Sequence, residues 1–431
     1  MRRLFLLMFG IVFLLNINYS LLRSARYALV VTDLGPGAKS IPLFELLGTV
    51  PGTILMVFCL TRLLSRFSIY KVFLITLATF TGFFLFFATG IYPSLAPLFP
   101  QTSSMLFFVM AELWKIALLT VLFWGLVNQY IPLVDAKKYY APLMLAGSLG
   151  TMAGGALTTF CNKVAFGVWS RSLTVTMLVV ALVALFTAWL YTLLWQQFAG
   201  PKHDTPQDGA VSMWDSIRLC LKSKYLLLLA WLTIADYIAY TLGEVVFLDV
   251  LKQKFPNPIA YSNYTGDLSF YTGLLTAVSA LAISPLLLRK SKWVAAALIT
   301  PLCLLVTEAA FFLTLWSGKP LELLVLLGST FFCVVRAAKF TLFDTSKEIS
   351  FLLLPPLEKM QGKLIVDGMC SRLGRGSAAC ISLVLIQFCG GVMASAFAAG
   401  SIALIISGSC LLSTLKLGTL VEKLSAPKKA S

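Results

Sequence analysis

The sequence contains little charge, one histidine and no cysteine pair spaced for a metal. Only 12% of its 431 residues are charged, whereas soluble domains carry about a quarter, so a soluble globular protein is excluded. The nine cysteines lack a C-x-x-C spacing, and the single histidine is His203. These residues exclude a thiolate or histidine metal site and a disulfide framework. We therefore expect no cofactor, and we interpret the cysteines as small packing residues.

Several functional classes lack their motifs as well. The Walker loop G-x-x-x-x-G-K-[ST] is absent, which excludes a P-loop ATPase. No His/Asp/Ser constellation marks a catalytic centre, so we expect no enzyme, and a polytopic membrane enzyme stays a remote alternative. The net charge of +16 comes from Lys and Arg dispersed in short loops. That pattern argues against a nucleic-acid partner and fits a membrane protein with an anionic cargo.

Long apolar runs are what the sequence does contain, with a mean hydropathy of +0.88. They recur along the whole chain and predict an all-α polytopic membrane protein. The first run follows a basic flank without a small-residue cleavage site, so we expect a retained helix rather than a signal peptide. We predict twelve spans near 4–22, 41–60, 70–92, 105–131, 139–160, 172–195, 224–247, 269–288, 293–316, 321–343, 364–390 and 392–415.

A polar stretch rich in Gly, Pro and Asp divides the spans into six plus six. We predict a six-helix bundle over 1–196, a cytoplasmic linker over 197–223 and a second bundle over 224–431. Trp214, Ile217 and Leu221 have helical spacing and predict a helix along the membrane surface. Most Lys and Arg fall in loops on the side of the N-terminus, so both termini are expected in the cytoplasm. This plan is typical of major-facilitator transporters, although channels and membrane enzymes can also have twelve helices.

Charged side chains inside spans are candidate functional residues, because an ionisable group in the bilayer is costly. The end of the first span carries Asn16, Tyr19, Arg23 and Arg26 on one helical face, with Asn18 beside them. Snorkelling of the two arginines to the interface is an equally good explanation for those residues. It does not explain the asparagines.

The fourth and seventh spans also carry charge. Glu112 and Lys115 are three residues apart and can pair, while Asp236 and Glu244 share a helical face. A structural ion pair and, for Glu244, solvation at the outer end are the alternatives. Glu308 in the ninth span has no partner that the sequence identifies. Buried carboxylates can bind and release protons during transport, which makes Glu112, Asp236 and Glu244 candidate proton-coupling residues.

The stretch GKLIVDGMCSRLGRG at 362–376 places four charges where an apolar helix begins. On a helix, Lys363, Asp367, Ser371 and Arg375 form a ladder with steps of four residues, while Arg372 points elsewhere. The glycines allow close backbone approach. Cations inside such a helix can hold a phosphate group by charge.

The sequence resembles the ATP/ADP translocases, the nucleotide transporters of plastids and obligate intracellular bacteria. The resemblance covers most of the chain in order, through NYSLLRSARYALVVTDLGPGAKSIP, VMAELWKIALLTVLFWGLVNQ, DAKKYYAPL, EVVFLDVLKQKFPNPIAYSNYTGDLS and FTLFDTSKEISFLLLPPLEKMQGKLIVDGMCSRLGRGSAA. It implies a twelve-helix carrier with a basic cavity, in a bacterial cell membrane or a plastid-type inner envelope. The charges that the family uses fall on Arg26, Glu112, Glu244, Lys363 as first choice and Arg375 as second, and FDTSKE adds Asp344, Lys347 and Glu348.

Some positions depart from the family pattern. Arg26 and Tyr27 stand where a lysine and an aspartate are usual, Ser24 replaces an acidic residue, and Leu248 replaces a basic one. The cargo therefore stays open between ATP and ADP, other nucleoside triphosphates, NAD and another anion.

The leading prediction is a secondary transporter that exchanges ATP and ADP by alternating access, with the nucleotide and the lipid bilayer as partners. Proton-driven uptake of a nucleotide or a related anion is the alternative. No oligomeric state is predicted. The expected substrate-binding residues are Asn18, Tyr19, Arg23, Arg26, Glu112, Lys115, Glu244, Lys347, Lys363, Asp367 and Arg375.

Overall fold

In a computed structural model of the chain, the described residues are 2–131, 136–198, 213–283, 286 and 293–425. They form helices and short connections, and no strand occurs among them. Twelve helices in this part of the chain are long and apolar enough to cross a membrane. They are α1 Arg2–Asp33, α2 Ser40–Leu64, α3 Ile69–Ser94, α4 Pro100–Tyr130, α5 Pro142–Val164, α6 Trp169–Gln197, α7 Lys224–Lys254, α8 Pro258–Ile283, α9 Trp293–Trp316, α10 Leu321–Leu352, α11 Gln361–Cys389 and α12 Val392–Leu424.

The predicted helix count is confirmed, but several helix ends were wrong. Helix α1 continues to Asp33, α8 begins at Pro258 instead of near 269, and α10 continues to Leu352 instead of ending at 343. The added turns of α8 carry polar side chains that are buried inside the protein, such as Ser262 and Thr265. Polar residues of this kind lower the hydropathy of a segment that is helical all the same.

The helices group into two compact units. The first contains Met1–His203 and Leu251–Ala277, and the second contains Asp204–Val250 and Val278–Ser431. A separate short helix, Met213–Lys222, lies in the predicted linker, and 199–212 lie outside the described residues. The six-plus-six division and the membrane-surface position of the linker helix stay predictions.

In the first unit, α1 packs closely against α5 because glycines face it. A Cβ atom at Gly154 would lie 2.7 Å from the carbonyl oxygen of Ile17, so a larger residue does not fit there without moving α1. Most of the second half of α1, from Ile17 to Val31, is buried. The polar residues of α1 are thus held in a protein environment rather than in lipid.

In the second unit, a glycine has the same effect between α11 and α7. A Cβ atom at Gly374 would lie 2.8 Å from the Cβ of Tyr237 and 2.9 Å from the carbonyl oxygen of Ile234. The two helices therefore approach closely beside Tyr237. Aromatic side chains fill the core between α7, α9 and α10, with Phe247 and Phe311 fully buried.

Seven π-helical segments interrupt the α-helices of the described chain. Such segments often occur at functional sites, since they change which face the following side chains occupy. Those in α4 and α10 begin at Lys115 and at Lys339, and another lies at the start of α11. The segments are Leu29–Asp33, Glu45–Thr49, Phe87–Ile91, Lys115–Phe123, Ser279–Ile283, Lys339–Phe343 and Leu364–Cys370.

Candidate functional site

The first unit contains a buried charge cluster between α1 and α4. Nη1 of Arg26 donates to Oε1 of Glu112, and both side chains are buried. Nζ of Lys115 lies 3.6 Å from Oε2 of the same carboxylate. The ion pair that the spacing of Glu112 and Lys115 predicts is therefore present, but the carboxylate also accepts a hydrogen bond from a second helix. One acidic residue serves two cations.

Tyr19 lies between cations in this cluster. Nζ of Lys115 is 5.0 Å from the centre of its ring, and the guanidinium carbon of Arg23 is 5.9 Å away. Both distances are within the range of a cation–π interaction. Nη2 of Arg23 also donates to Oγ of Ser269 on α8 at 2.7 Å. The half-buried aromatic ring thus holds two positive groups on the polar face of α1.

Asn18 lies at the same level of α1 and is fully buried. Its Nδ2 donates to the carbonyl oxygen of Val180 on α6 at 3.2 Å. Its Oδ1 has no hydrogen-bond partner among the described residues. An unsatisfied buried amide oxygen is costly, and it is typical of a place where a ligand or water binds.

The second unit contains two ion pairs between α7 and α10. Nζ of Lys339 contacts Oδ2 of Asp236, and Nη2 of Arg336 lies 2.8 Å from Oε1 of Glu244. Nε of Arg336 also donates to the hydroxyl of Tyr240 at 2.6 Å. The two carboxylates that the sequence places on one face of α7 thus both meet α10.

Tyr237 stands next to Asp236 and again has cations beside its ring. Nζ of Lys339 lies 3.6 Å from the ring centre, and the guanidinium carbon of Arg375 lies 5.0 Å from it. Arg375, a predicted binding residue on α11, is brought here by the close approach of α11 to α7 at Gly374.

The predicted ladder along α11 is wrong as a set of mutual contacts. Nζ of Lys363 pairs with Glu348 at 2.7 Å, and Asp367 pairs with Lys347 at 2.7 Å. The π-helical turns over 364–370 remove the four-residue repeat that the ladder requires. The Lys363 and Glu348 side chains are 44% and 47% exposed, whereas Lys347 is 13% exposed. Lys363 is therefore the accessible member of this group.

Two cations were assigned to the wrong environment. The sequence places Arg336 and Lys339 with Lys347 in a cytoplasmic loop, whereas all three lie inside the continuous helix α10. A signal for the first two does exist, because F-F-x-x-x-E-x-x-K at 107–115 recurs as F-F-x-x-x-R-x-x-K at 331–339. The first copy was selected for its charges, and its repetition identifies the second.

Glu308 of α9 has a partner that the sequence did not identify. Oγ of Ser407 on α12 donates to its Oε2 at 2.6 Å, and the carboxylate is fully buried. No ion pair of Glu308 occurs within the described part of the chain. The described residues also contain no cluster of His, Cys, Asp and Glu that could hold a metal.

Solved structures with the same fold are membrane transporters. The nucleoside transporter NupG aligns over 98% of this chain and 99% or more of its own, with a TM-score of 0.64 in its mutant form and 15% identity. A D-xylose–proton symporter aligns over 95% of this chain and 96% of its own, with a TM-score of 0.63 and 13% identity. At these identities the likeness shows the fold alone, and it confirms the all-α, major-facilitator-like prediction.

Curated relatives match nearly the whole chain. "ADP,ATP carrier protein 1" of Chlamydia trachomatis is 29% identical over 98% of this chain and 89% of its own length. "ADP,ATP carrier protein 2, chloroplastic" of Arabidopsis thaliana is 30% identical over 87% of this chain and 67% of its own. The "Plastidic ATP/ADP-transporter" of Solanum tuberosum is 29% identical over 91% of this chain and 69% of its own.

The family model described as "TLC ATP/ADP transporter" matches residues 1–105 and 96–420. This match covers nearly all of the chain and confirms a multi-pass transport protein rather than an enzyme. The chain belongs to the TLC ATP/ADP transporter family.

Proposed function

We propose that this protein is a secondary carrier that exchanges nucleotides of the ATP and ADP type by alternating access. The observation that carries the proposal is the set of cations held inside membrane-spanning helices, at Arg23, Lys115, Lys347 and Arg375, in a chain of this family. Phosphate groups are bound most strongly by charge-assisted hydrogen bonds, and arginine offers two parallel donors to them.

The predicted binding residues divide by accessibility. Arg26 is buried against Glu112 and stacks at 4.7 Å on Tyr27 and Phe108, so its role is to fix the cluster. Lys115 is 25% exposed and Lys363 is 44% exposed. These two lysines can meet a phosphate without a rearrangement of the core. Asn18 and Tyr19 are proposed to contact the base or the ribose.

The acidic residues favour exchange over proton-driven uptake. Glu112, Asp236 and Glu244 each contact a lysine or an arginine in the structure. A nearby opposite charge favours the ionised carboxylate, and an ionised carboxylate that keeps its partner carries no proton. Their proposed role is to neutralise and position the cations, while Lys347 and Asp367 do the same between α10 and α11.

The proposed location is a bacterial cell membrane or a plastid-type inner envelope, with both termini in the cytoplasm. The excess of Lys and Arg in the loops on that side supports the orientation. The Chlamydia and plant origins of the relatives support the type of membrane.

The test is uptake of labelled ATP into proteoliposomes that contain the purified full chain and internal ADP. Unlabelled ADP, AMP, adenosine, other nucleoside triphosphates and NAD are added outside as competitors. We expect ADP to compete best and adenosine, which has no phosphate, to compete poorly. Lys363→Ala and Arg26→Ala are expected to weaken competition by ADP while the protein stays inserted. No uptake of any nucleotide would contradict the proposal.

A further inference from the structure

The two units repeat one arrangement of charged and aromatic residues. N-Y-x-x-x-x-x-x-R at 18–26 of α1 recurs as D-Y-x-x-x-x-x-x-E at 236–244 of α7. The F-F motifs of α4 and α10 are the second half of each copy. Both copies of that motif end at a lysine where a π-helical segment begins, at Lys115 and Lys339.

The contacts between the motifs repeat as well. Lys115 lies over the ring of Tyr19, and Lys339 lies over the ring of Tyr237. The Arg26–Glu112 pair of the first unit corresponds in position to the pair between Glu244 and Arg336 in the second, with the signs exchanged. The repeat is therefore structural as well as sequential, and its differences are informative.

One difference changes the charge of the first cluster. The position of Asp236 in the second unit is occupied by Asn18 in the first. Asp236 contacts Lys339 directly, whereas Asn18 turns its amide to the backbone of α6. Lys115 consequently has only Glu112 as an ion-pair partner in the described structure, at 3.6 Å, and it shares that carboxylate with Arg26.

The charge balance of the two clusters differs for this reason. Around Tyr19, the first unit places three cations, Arg23, Arg26 and Lys115, with a single carboxylate. The second unit places three cations with two carboxylates, and its lysine is only 15% exposed. An excess of positive charge inside the membrane is costly unless an anion offsets it.

We propose that Arg23 and Lys115, on either side of Tyr19, form the main subsite for the phosphate chain, and that Asn18 determines this by leaving Lys115 partly uncompensated. The inference rests on the proposed nucleotide transport and names the part of the chain that holds the phosphates. Ser269 positions the guanidinium of Arg23 through its hydroxyl. In the second unit, Asp236 occupies the corresponding lysine, so that cluster contributes less to phosphate binding.

The experiment measures the Kd for ATP, ADP and AMP, with the purified full chain in lipid nanodiscs. Asn18→Asp places a carboxylate at the position equivalent to Asp236. We expect it to weaken ATP and ADP binding about 10- to 100-fold, the loss of one or two charge-assisted hydrogen bonds, with a smaller effect on AMP. Lys115→Gln is expected to give the same pattern, and Lys115→Arg is expected to restore binding.

Two comparisons separate this proposal from general effects of charge. Asp236→Asn combined with Lys339→Gln removes the equivalent pair of the second unit and is expected to weaken binding less than Lys115→Gln does. Lys71→Gln, at an exposed site on α3, is expected to change nothing. Equal losses from Lys115→Gln and from the double variant would overturn the proposal, as would normal ATP binding by Lys115→Gln.

Folding of the variants and the proposed function are tested separately. If Asn18→Asp does not yield folded protein, the contrast between Lys115→Gln and Lys115→Arg decides the question alone. An equal loss of AMP and ATP affinity would indicate a structural role for Lys115 and overturn the subsite. Wild-type protein that binds no nucleotide would contradict nucleotide transport itself, whereas wild-type binding with unaffected Lys115 variants would overturn only this inference.

Discussion

The buried pair between Arg26 and Glu112 gives the sharpest prediction about stability. Glu112 neutralises Arg26 on α1 and lies near Lys115 on its own helix. Glu112→Gln removes the carboxylate from both cations. Breaking a buried ion pair by removing one partner costs about 3 to 5 kcal/mol, so we expect a loss of free energy of unfolding in that range.

The opposite change is expected to cost less. Arg26→Gln leaves Glu112 with Lys115 at 3.6 Å, so the carboxylate keeps one cation. The variant also loses the stacking of the guanidinium on Tyr27 and Phe108, which contributes about 0.5 to 2 kcal/mol. We therefore expect a loss near the lower end of the range for Glu112→Gln, and the two single variants are expected to differ.

The repeat provides the decisive variant. Because Glu244 and Arg336 form the same contact with the signs exchanged, the double variant Arg26→Glu with Glu112→Arg should recover more than half of the loss. Free energies of unfolding from equilibrium unfolding in mixed micelles measure all three variants, with Lys71→Gln as the control. Single variants as stable as the wild type, or an exchanged pair no better than Glu112→Gln, would refute the reasoning.

Three further predictions follow from particular contacts. Gly154→Val should prevent folding, measured as recovery of monodisperse protein, because its side chain would meet the backbone of α1, whereas Gly82→Ala, with open space around it, should be recovered normally. Ser407→Ala should lower the free energy of unfolding by about 1 to 3 kcal/mol, because it leaves the buried Glu308 carboxylate without this donor, and Glu308→Gln should retain exchange. Arg336→Lys keeps the charge but cannot serve both acceptors of the guanidinium, so stability should fall by about 0.5 to 1.5 kcal/mol.

Much of the fold follows from the sequence because transmembrane helices are encoded locally. Twelve apolar runs of sufficient length predict twelve helices, and the structure contains them. The early start of α8 is missed because buried polar residues such as Ser262 and Thr265 look like a loop when only hydropathy is considered. Their polar groups are satisfied inside the protein, and that information is not local.

The site is predicted in part for the same reason. Helical spacing identifies the charged faces of α1, α4 and α7, and it pairs Glu112 with Lys115. It cannot identify Arg26 as the stronger partner of Glu112, because the two residues come together only when α1 packs on α4. The π-helical turns of α11 changed the partners of Lys363 in a way that a regular helical period does not describe.

The most direct test of the proposed function is the dependence of ATP uptake on what is inside the vesicle. Proteoliposomes with the wild-type chain are loaded with ADP or left empty, and labelled ATP uptake is followed with and without a proton gradient and a protonophore. Exchange predicts uptake that requires internal ADP and does not respond to the protonophore. Equal uptake into empty vesicles, or uptake that collapses with the proton gradient, would contradict it.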